Sequence, residues 1–334
     1  GVGGGEDMTA AHPLVTVITP VLNRASTISS CLASVAAQSY PVIEHIIVDG
    51  GSRDGTLDLV RSFQSRGRLR WISEPDDGMY DAINKGLDMA DGEIVAYLNS
   101  DDFYLPWTVD VAVRELDRGA DLIYGDLGVV KMRSETHSEF YVQFYRPFDL
   151  KHYVYSGSIG QPTVFWRRSL IGRIGRFDSS YRLIGDCEYW VRAAVSGAKL
   201  SHVHEVLAIQ IDHGATLREI HPDRLEDEFR RLRAAYARIA GRSTWLRWRA
   251  LWKALRWRWY QLLFLAANRR ERPNRWPRFI AFLRRHDLKL NRLDEVLVFM
   301  LPGRFRPSWA SWVDTRMFEA KLREEIGADG GSQL

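Results

Sequence analysis

From Val15 onward, short unbroken apolar runs alternate with stretches of helical period. Val15-Thr16-Val17-Ile18, Ile46-Ile47-Val48, Leu69–Ile72, Ile94–Leu98 and Asp121–Tyr124 are runs too short for helices and bounded by turn residues, so each predicts a strand. The first strand is expected to end at Thr19-Pro20. Between these runs, apolar residues recur at three- and four-residue spacing. They predict helices over 26–38 (Ile28, Leu32, Val35 and Ala36 behind Ser26-Thr27, a candidate N-cap), from Leu57 through Val60 to Phe63, over 78–90 and over 107–118. Strands alternating with helices predict an α/β fold: a Rossmann-like, mostly parallel sheet with helices on both faces. Continuous rather than alternating apolar strands are what a sheet covered on both faces requires. After about residue 130 the alternation weakens, leaving strands over Thr163–Trp166 and Val203–Ile211, a helix over 186–196 and a charged helix over 223–240.

Each strand of the first half runs into a polar or glycine-rich loop: Thr19-Pro20-Val21-Leu22-Asn23, Asp49-Gly50-Gly51-Ser52, Glu74-Pro75-Asp76-Asp77-Gly78 and Asn99-Ser100-Asp101-Asp102. In a parallel sheet these loops share one edge, where open α/β folds bind their ligands. Glycine lets backbone approach a ligand closely, and helix N-termini offer N–H groups to phosphate. Adjacent Asp101 and Asp102 repel each other unless a positive charge joins them, and a hard divalent cation with oxygen ligands supplies it. A solvated Ser-Asp-Asp turn that caps the next helix is the plainer alternative. G-x-G-x-x-G and G-x-x-x-x-G-K-[ST] are both absent, which disfavours a dinucleotide fold and a P-loop NTPase.

In order and separation, four segments resemble the family 2 glycosyltransferases of the GT-A fold. They are Val17–Asn23, Ile47–Thr56 (IVDGGSRDGT), Glu74–Gly86 (EPDDGMYDAINKG) and Leu98–Asp102 (LNSDD). The resemblance covers about residues 14–215 and implies inverting transfer of a sugar from a nucleotide diphosphate to an acceptor hydroxyl, assisted by Mg²⁺ or Mn²⁺. It implies that Asp101 and Asp102 hold the metal and diphosphate, with Asp102 the direct ligand. It puts Asp49 at the nucleoside, Pro20 and Leu22 against the base, and Asn23, Asp76, Asp81 and Lys85 along the donor. Gly50 stands where many members carry a second Asp, and Leu22 replaces a frequent aromatic, which leaves the base unassigned. Asp81 and Lys85 also have the (i, i+4) spacing of a surface ion pair.

The same resemblance implies that the acceptor is deprotonated by Asp186, in Gly185-Asp186-Cys187-Glu188-Tyr189-Trp190-Val191-Arg192, with Glu188 a structural partner. A helix N-cap is the alternative for Asp186 and is compatible with that role. Gln161–Trp166 is expected on the acceptor side, and His213 as a further metal or phosphate contact or a structural histidine. Domain 14–222 then divides into a nucleotide-sugar half (14–125) and an acceptor half (126–222). A nucleotidyltransferase also uses acidic metal ligands, but residues 19–25 lack its basic glycine-rich loop. A non-catalytic sugar- or lipid-binding scaffold would not need both the Asp pair and Asp186.

Charge adds a second theme. The net charge of +4 over 334 residues hides a block, 241–289, with fourteen Lys/Arg, two Asp/Glu and six of the twelve tryptophans, leaving −8 for the remainder. Trp245, Trp248, Trp252, Leu255, Trp259 and Leu262 fall on one helical stripe with cations on either side. Such a helix suits an anionic membrane interface, or else packing on the catalytic domain or a second subunit. Residues 290–326 look helical and amphipathic, which makes 223–334 a helical C-terminal extension able to support a homodimer. No stretch approaches the roughly 20 apolar residues of a membrane span. Residues 1–13 read as a flexible leader without signal-peptide features. Two cysteines make no disulfide framework and fit a reducing cytoplasm. The expectation is a cytoplasmic enzyme, peripheral on the inner face of the cell membrane, with no nucleic-acid partner, building a bacterial cell-surface glycan or glycolipid.

Overall fold

A computed structural model describes residues 12–240, apart from 65–67, 135–136, 146, 157–158 and 213–219. The leader through residue 11, His213 and everything beyond residue 240, including the Trp stripe, lie outside the described residues. The strands are β1 (Val15–Val21), β2 (Ile43–Asp49), β3 (Arg68–Ser73), β4 (Ile94–Tyr97), β5 (Phe103–Tyr104), β6 (Leu122–Ser134), β7 (His137–Gln143), β8 (Phe165–Arg167) and β9 (Leu200–Asp212). The helices are α1 (Ile28–Ala36), α2 (Thr56–Phe63), α3 (Met79–Met89), α4 (Thr108–Asp117), α5 (Leu150–Ser156), α6 (Ser169–Ile174), α7 (Gly185–Val195), α8 (Pro222–Ala235) and α9 (Ala237–Ala240). The strands form one sheet in the order β3-β2-β1-β4-β8-β6-β9-β5, with β7 paired to β6.

The expected α/β architecture holds. β3, β2, β1 and β4 are parallel neighbours. Successive residues of β1 point to opposite faces and both faces are covered: Ile18 joins the core beneath α3, α5 and α7, and Val17 the core beneath α1 and α4. This is why the strands carry no polar alternation. Beyond β4 the sheet becomes mixed, because β8 is antiparallel to both β4 and β6.

Three local expectations need correction. β1 does not stop at Pro20 but continues to Val21. Val21 O accepts from Gly50 N–H, so odd-numbered residues of β1 direct their backbone groups to β2 and even-numbered ones to β4. Pairing with β4 ends at Ile18–Tyr97, so the N–H that Pro20 lacks had no ladder partner to lose. Thr27 occupies the N-cap position of α1, yet its hydroxyl makes no cap bond and is buried without a partner. β6 extends through Ser134 rather than ending at Tyr124, and so crosses residues 125–126 as one strand.

The second half is anchored by aromatic packing. Phe177 stacks on Tyr189 with centroids 4.1 Å apart, and Trp166 and Trp190 meet at 5.3 Å. Both tryptophans are fully buried. α8 belongs to this core: Leu232 is fully buried within it, and Leu225 and Phe229 pack against it.

A buried histidine lies in the parallel half. His45 on β2 has Nε2 2.9 Å from Thr19 Oγ1, and burial pushes its pKa from 6.5 down to about 3. The unfolded chain therefore takes up that proton first, and stability is lost as pH falls from about 6.5 toward 3, by up to about 1.4 kcal/mol per pH unit. Urea unfolding between pH 7 and pH 4 should show a shallower loss for His45→Gln than for the parent; parallel profiles would assign the proton uptake elsewhere.

Candidate active site

The four loops meet on one edge as predicted, and they are wired together. Leu22 is half exposed at the rim, and Asn23 turns the chain in the left-handed region with φ of 52°. Asn23 N–H donates to Ser52 Oγ at 2.7 Å, and Arg53 N–H donates to Asn23 Oδ1 at 2.9 Å. Ala25 N–H donates to Asp54 Oδ2 and Arg24 N–H to Thr56 Oγ1. The β1 and β2 loops are thus one unit. Pro20, within β1, is buried beneath it.

Asp49 ends β2 and is fully buried. Its Oδ2 collects the N–H groups of Gly51 (3.0 Å) and Ser52 (2.9 Å) and the hydroxyl of Ser73 (2.7 Å), joining the β2 and β3 ends. Its Oδ1 is buried with no hydrogen-bond partner. A carboxylate oxygen only accepts, so this atom is left needing an N–H or O–H donor. A Cβ on Gly50 would lie 2.5 Å from Asp76 Oδ2, so the missing side chain is what lets the β3–α3 loop close onto β2. Asp76 Oδ1 accepts from Gly78 N–H at 2.8 Å.

Lys85 on α3 is tied to Glu74 Oε1 (2.8 Å), to Pro75 O (2.8 Å) and more loosely to Asp81 (3.6 Å), and Asp81 Oδ2 accepts from Asp77 N–H. These two residues brace the loop that carries Asp76. The (i, i+4) pair is present, as one loose contact within that brace.

Asp102 follows β4 and is 2 % exposed, whereas its neighbour Asp101 is half-buried. Burial raises the Asp102 carboxyl well above the usual carboxylate range, and the Asp101 charge pushes the same way; bonds from Ile211 N–H (3.3 Å) and Asn99 Nδ2 (3.4 Å) oppose the shift. The Asp101 and Asp102 charges also reach Cys31 beneath the rim, whose thiol is pushed up to about 12, chiefly by burial. Asn99 donates to Gln161 Oε1, and Gln161 Nε2 to Tyr97 O, which leaves Asn99 Oδ1 buried and unpartnered. A crowded carboxyl pair beside an orphaned amide oxygen is a set of hard oxygen acceptors. β9 reaches this point through Ile211; His213, two residues further on, lies outside the described residues.

On the other side of the cleft Asp186 lies in the first turn of α7 and is 4 % exposed. Tyr80 of α3 donates its hydroxyl to Asp186 Oδ1 at 3.0 Å. Gly185 permits this, because a Cβ there would lie 2.8 Å from the Tyr80 ring. Glu188 is engaged two-handedly by Arg192 (3.0 and 2.6 Å) and by Tyr236, as a structural partner should be. Ile184 takes the N-cap position of α7, so Asp186 lies inside its first turn rather than at the cap. A cavity of about 500 Å³ beside Glu93 and Arg168 opens at the opposite edge of the sheet, away from these loops.

Comparison with known proteins accounts for this arrangement. The model of the family Glycosyl transferase family 2 matches residues 16–170. A "PGL/p-HBAD biosynthesis glycosyltransferase" of Mycobacterium bovis is 32% identical over 212 residues, covering 61% of this chain and 79% of that protein. The chain belongs to glycosyltransferase family 2. Another relative, "Glycosyltransferase AglE" of Haloferax volcanii, is 29% identical over 206 residues, with 60% and 67% coverage. Among solved structures, the mannosyltransferase PcManGT from Pyrobaculum calidifontis in complex with GDP-Man and Mn²⁺ superposes with a TM-score of 0.52 at 24% identity, covering 69% of this chain and 65% of that one. S. aureus TarS 1-349 in complex with UDP-GlcNAc gives 0.52 at 21%, with 69% and 75% coverage. The GT-A fold expected from the motifs is therefore the fold of this chain.

Several site residues of this family 2 glycosyltransferase were not singled out from its sequence. Ser52, Ser73, Asn99 and Tyr80 are short-range or motif-adjacent and lie inside or beside the matched segments. Glu228 has no such signal. From α8, and 7 % exposed, it accepts the N–H groups of Arg182 (2.8 Å), Leu183 (2.9 Å) and Ile184 (3.1 Å), the last residues before α7. It supplies the N-terminal cap that the local sequence of α7 lacks. A neutral amide accepts more weakly and brings donors against those N–H groups. Glu228→Gln should cost about 2 kcal/mol in chemical denaturation, with a lower kcat. A variant as stable as the parent would show that this cap is dispensable.

Proposed function

We propose that the protein moves a glycosyl group from a nucleotide-diphosphate sugar to an acceptor hydroxyl, with inversion at the anomeric carbon. The observation that carries this reading is the buried Asp102 carboxyl, raised by burial and crowded by Asp101, with Asn99 Oδ1 orphaned beside it. Those groups fit a hard divalent cation, Mg²⁺ or Mn²⁺, held by Asp102 and Asp101 with His213 as a further contact. When bound, such an ion neutralises charge on the departing nucleoside diphosphate. That the solved relatives were captured with GDP-Man and UDP-GlcNAc supports the donor class.

The remaining roles follow from the residues. Asp49 Oδ1 accepts an N–H of the base, and exposed Leu22 lies against the ring with Pro20 and Asn23 shaping its edge. Asp76 supplies the acidic group that position 50 lacks. Asp81 and Lys85 hold the Glu74–Asp77 loop along the donor. Asp186, oriented by Tyr80, takes the proton of the acceptor hydroxyl as that oxygen attacks the anomeric carbon and the bond to the nucleoside diphosphate breaks.

The acceptor is a glycan or lipid-linked glycan of a bacterial surface, reached at the inner face of the membrane. The basic, Trp-rich stretch 241–289 supports that location, and so does the relative named for PGL/p-HBAD biosynthesis. Attachment is peripheral, through the extension; among the described residues no helix is long and apolar enough to cross a membrane. Residues 290–326 provide a homodimer contact.

Asp102→Ala should lower turnover at least about 100-fold and remove Mn²⁺-dependent nucleotide binding with an unchanged circular dichroism spectrum; retained turnover would end the metal assignment. Asp186→Asn should keep donor affinity within about 2-fold in calorimetry while kcat falls by about 100-fold or more. Loss of binding with kcat intact would contradict the role as base. Deletion after residue 240 should free the protein from anionic liposomes in a flotation assay; equal binding by both forms would place the contact within residues 1–240.

A further inference from the structure

Three positions along the sheet from β1, β6 and β9 run parallel with a break in register. Tyr124 pairs with His202 and Asp126 with Val206, so β9 spends four residues where β6 spends two. This bulge brings His202 and His204 together, with ring centroids 4.4 Å apart, and leaves His204 exposed. His202 stacks on Tyr124 at 5.1 Å, and its side chain is 1% exposed. Asp126, also buried, lies beside them: its Oδ1 is 2.9 Å from His202 Nε2 and accepts from Tyr145 N–H at 2.9 Å. One ligand atom from each of Asp126, His202 and His204 lies within 4.8 Å of the other two.

An ordinary buried Asp–His hydrogen bond explains only half of this. The Asp126 carboxylate is an acceptor, so it assigns the His202 proton to Nε2 and leaves a lone pair on Nδ1. That Nδ1 is buried with no hydrogen-bond partner. An acceptor nitrogen held in place by a carboxylate on its far side, with a second imidazole packed against it, has the chemistry of a metal ligand. Unlike the rim, where Asp101, Asp102 and Asn99 offer oxygen, this site offers two imidazole nitrogens, which suit zinc rather than magnesium or calcium.

We propose that His202 and His204 bind one zinc ion, separate from the donor site, with Asp126 as the positioning partner that orients His202. The imidazoles are its nitrogen ligands, the carboxylate holds the His202 ring and balances the ion's charge, and water enters on the exposed side of His204. Both nitrogen ligands lie on β9 at the bulge, Asp126 ties the site to β6 through the His202 ring, and β9 is the strand that reaches Asp102. This inference does not rest on the transfer reaction and goes beyond it.

The test uses the full chain carrying Asp102→Ala, which removes the rim as a competing site. The protein is stripped with chelator, dialysed against zinc and assayed for bound metal and thermal midpoint. The expected result is about one zinc per chain with a raised midpoint, and loss of nine-tenths of that zinc and of the rise when His204→Ala is added. Because His204 is exposed, its removal leaves the fold intact, which a circular dichroism spectrum checks. No zinc retained by the Asp102→Ala protein, or equal zinc with and without His204, overturns the proposal.

Discussion

The constraint on which this molecule turns is a carboxylate placed where water does not reach. Asp102 sits at the mouth of a sheet whose strands are apolar on both faces, with a second acid next to it in the chain. The bonds that Asp102 accepts from Asn99 and Ile211 are long, at 3.4 and 3.3 Å, and burial raises its carboxyl in spite of them. Folding therefore creates a deficit of positive charge at the one edge where four loops converge. The surroundings are consistent with such a deficit: Asn99 keeps an amide oxygen unspent, and Asp49 keeps a carboxylate oxygen unspent at the end of β2. Orphaned buried acceptors are costly in a folded protein. Concentrated at one rim, they describe a ligand rich in donors and cations, which is how a metal-bound nucleotide diphosphate presents itself.

The two sides of the cleft are not independent. α3 begins at the loop that carries Asp76, and its Tyr80 grips Asp186 at the start of α7. The contact exists because position 185 is glycine. From behind, α8 completes the start of α7 through Glu228, and Tyr236, just past the end of α8, reaches Glu188 in the same first turn. The carboxylate assigned to the acceptor is thus held between a helix of the donor side and one that leads toward the basic extension.

How much of this was legible in the sequence follows from the range of each interaction. β1 to β4 and the helices between them were readable because double-sided burial leaves a local trace of continuous apolar runs. Pro20 misled, since whether a missing N–H matters depends on which neighbour it faces and where that pairing ends, and neither is local. β5, with two residues, and the short helices α5 and α6 carry too little pattern to announce themselves. The rim acids were visible as motifs, but the orphaned oxygens of Asp49 and Asn99 were not, because an unsatisfied atom is a property of its surroundings. Glu228 lies 42 residues from Asp186 and reads as one more charge on a charged helix; only packing brings it to the backbone it caps.

The same reasoning separates the rim from the Asp126–His202–His204 cluster. Both contain buried acids and both lie along β9, yet their deficits differ in kind. At the rim the unpaired atoms are oxygens, two of them on adjacent residues of one loop, so charge is the unmet need and a hard, exchangeable cation answers it. At the β6–β9 bulge the carboxylate already has donors, from Tyr145 and His202, and what lacks a partner is a neutral nitrogen. Coulomb attraction alone does little for that atom, whereas coordination does. A protein that met both needs with one kind of ion would have to bind it in two ways. Different donor sets would let the proposed rim cation travel with the substrate while the proposed zinc stays in the frame.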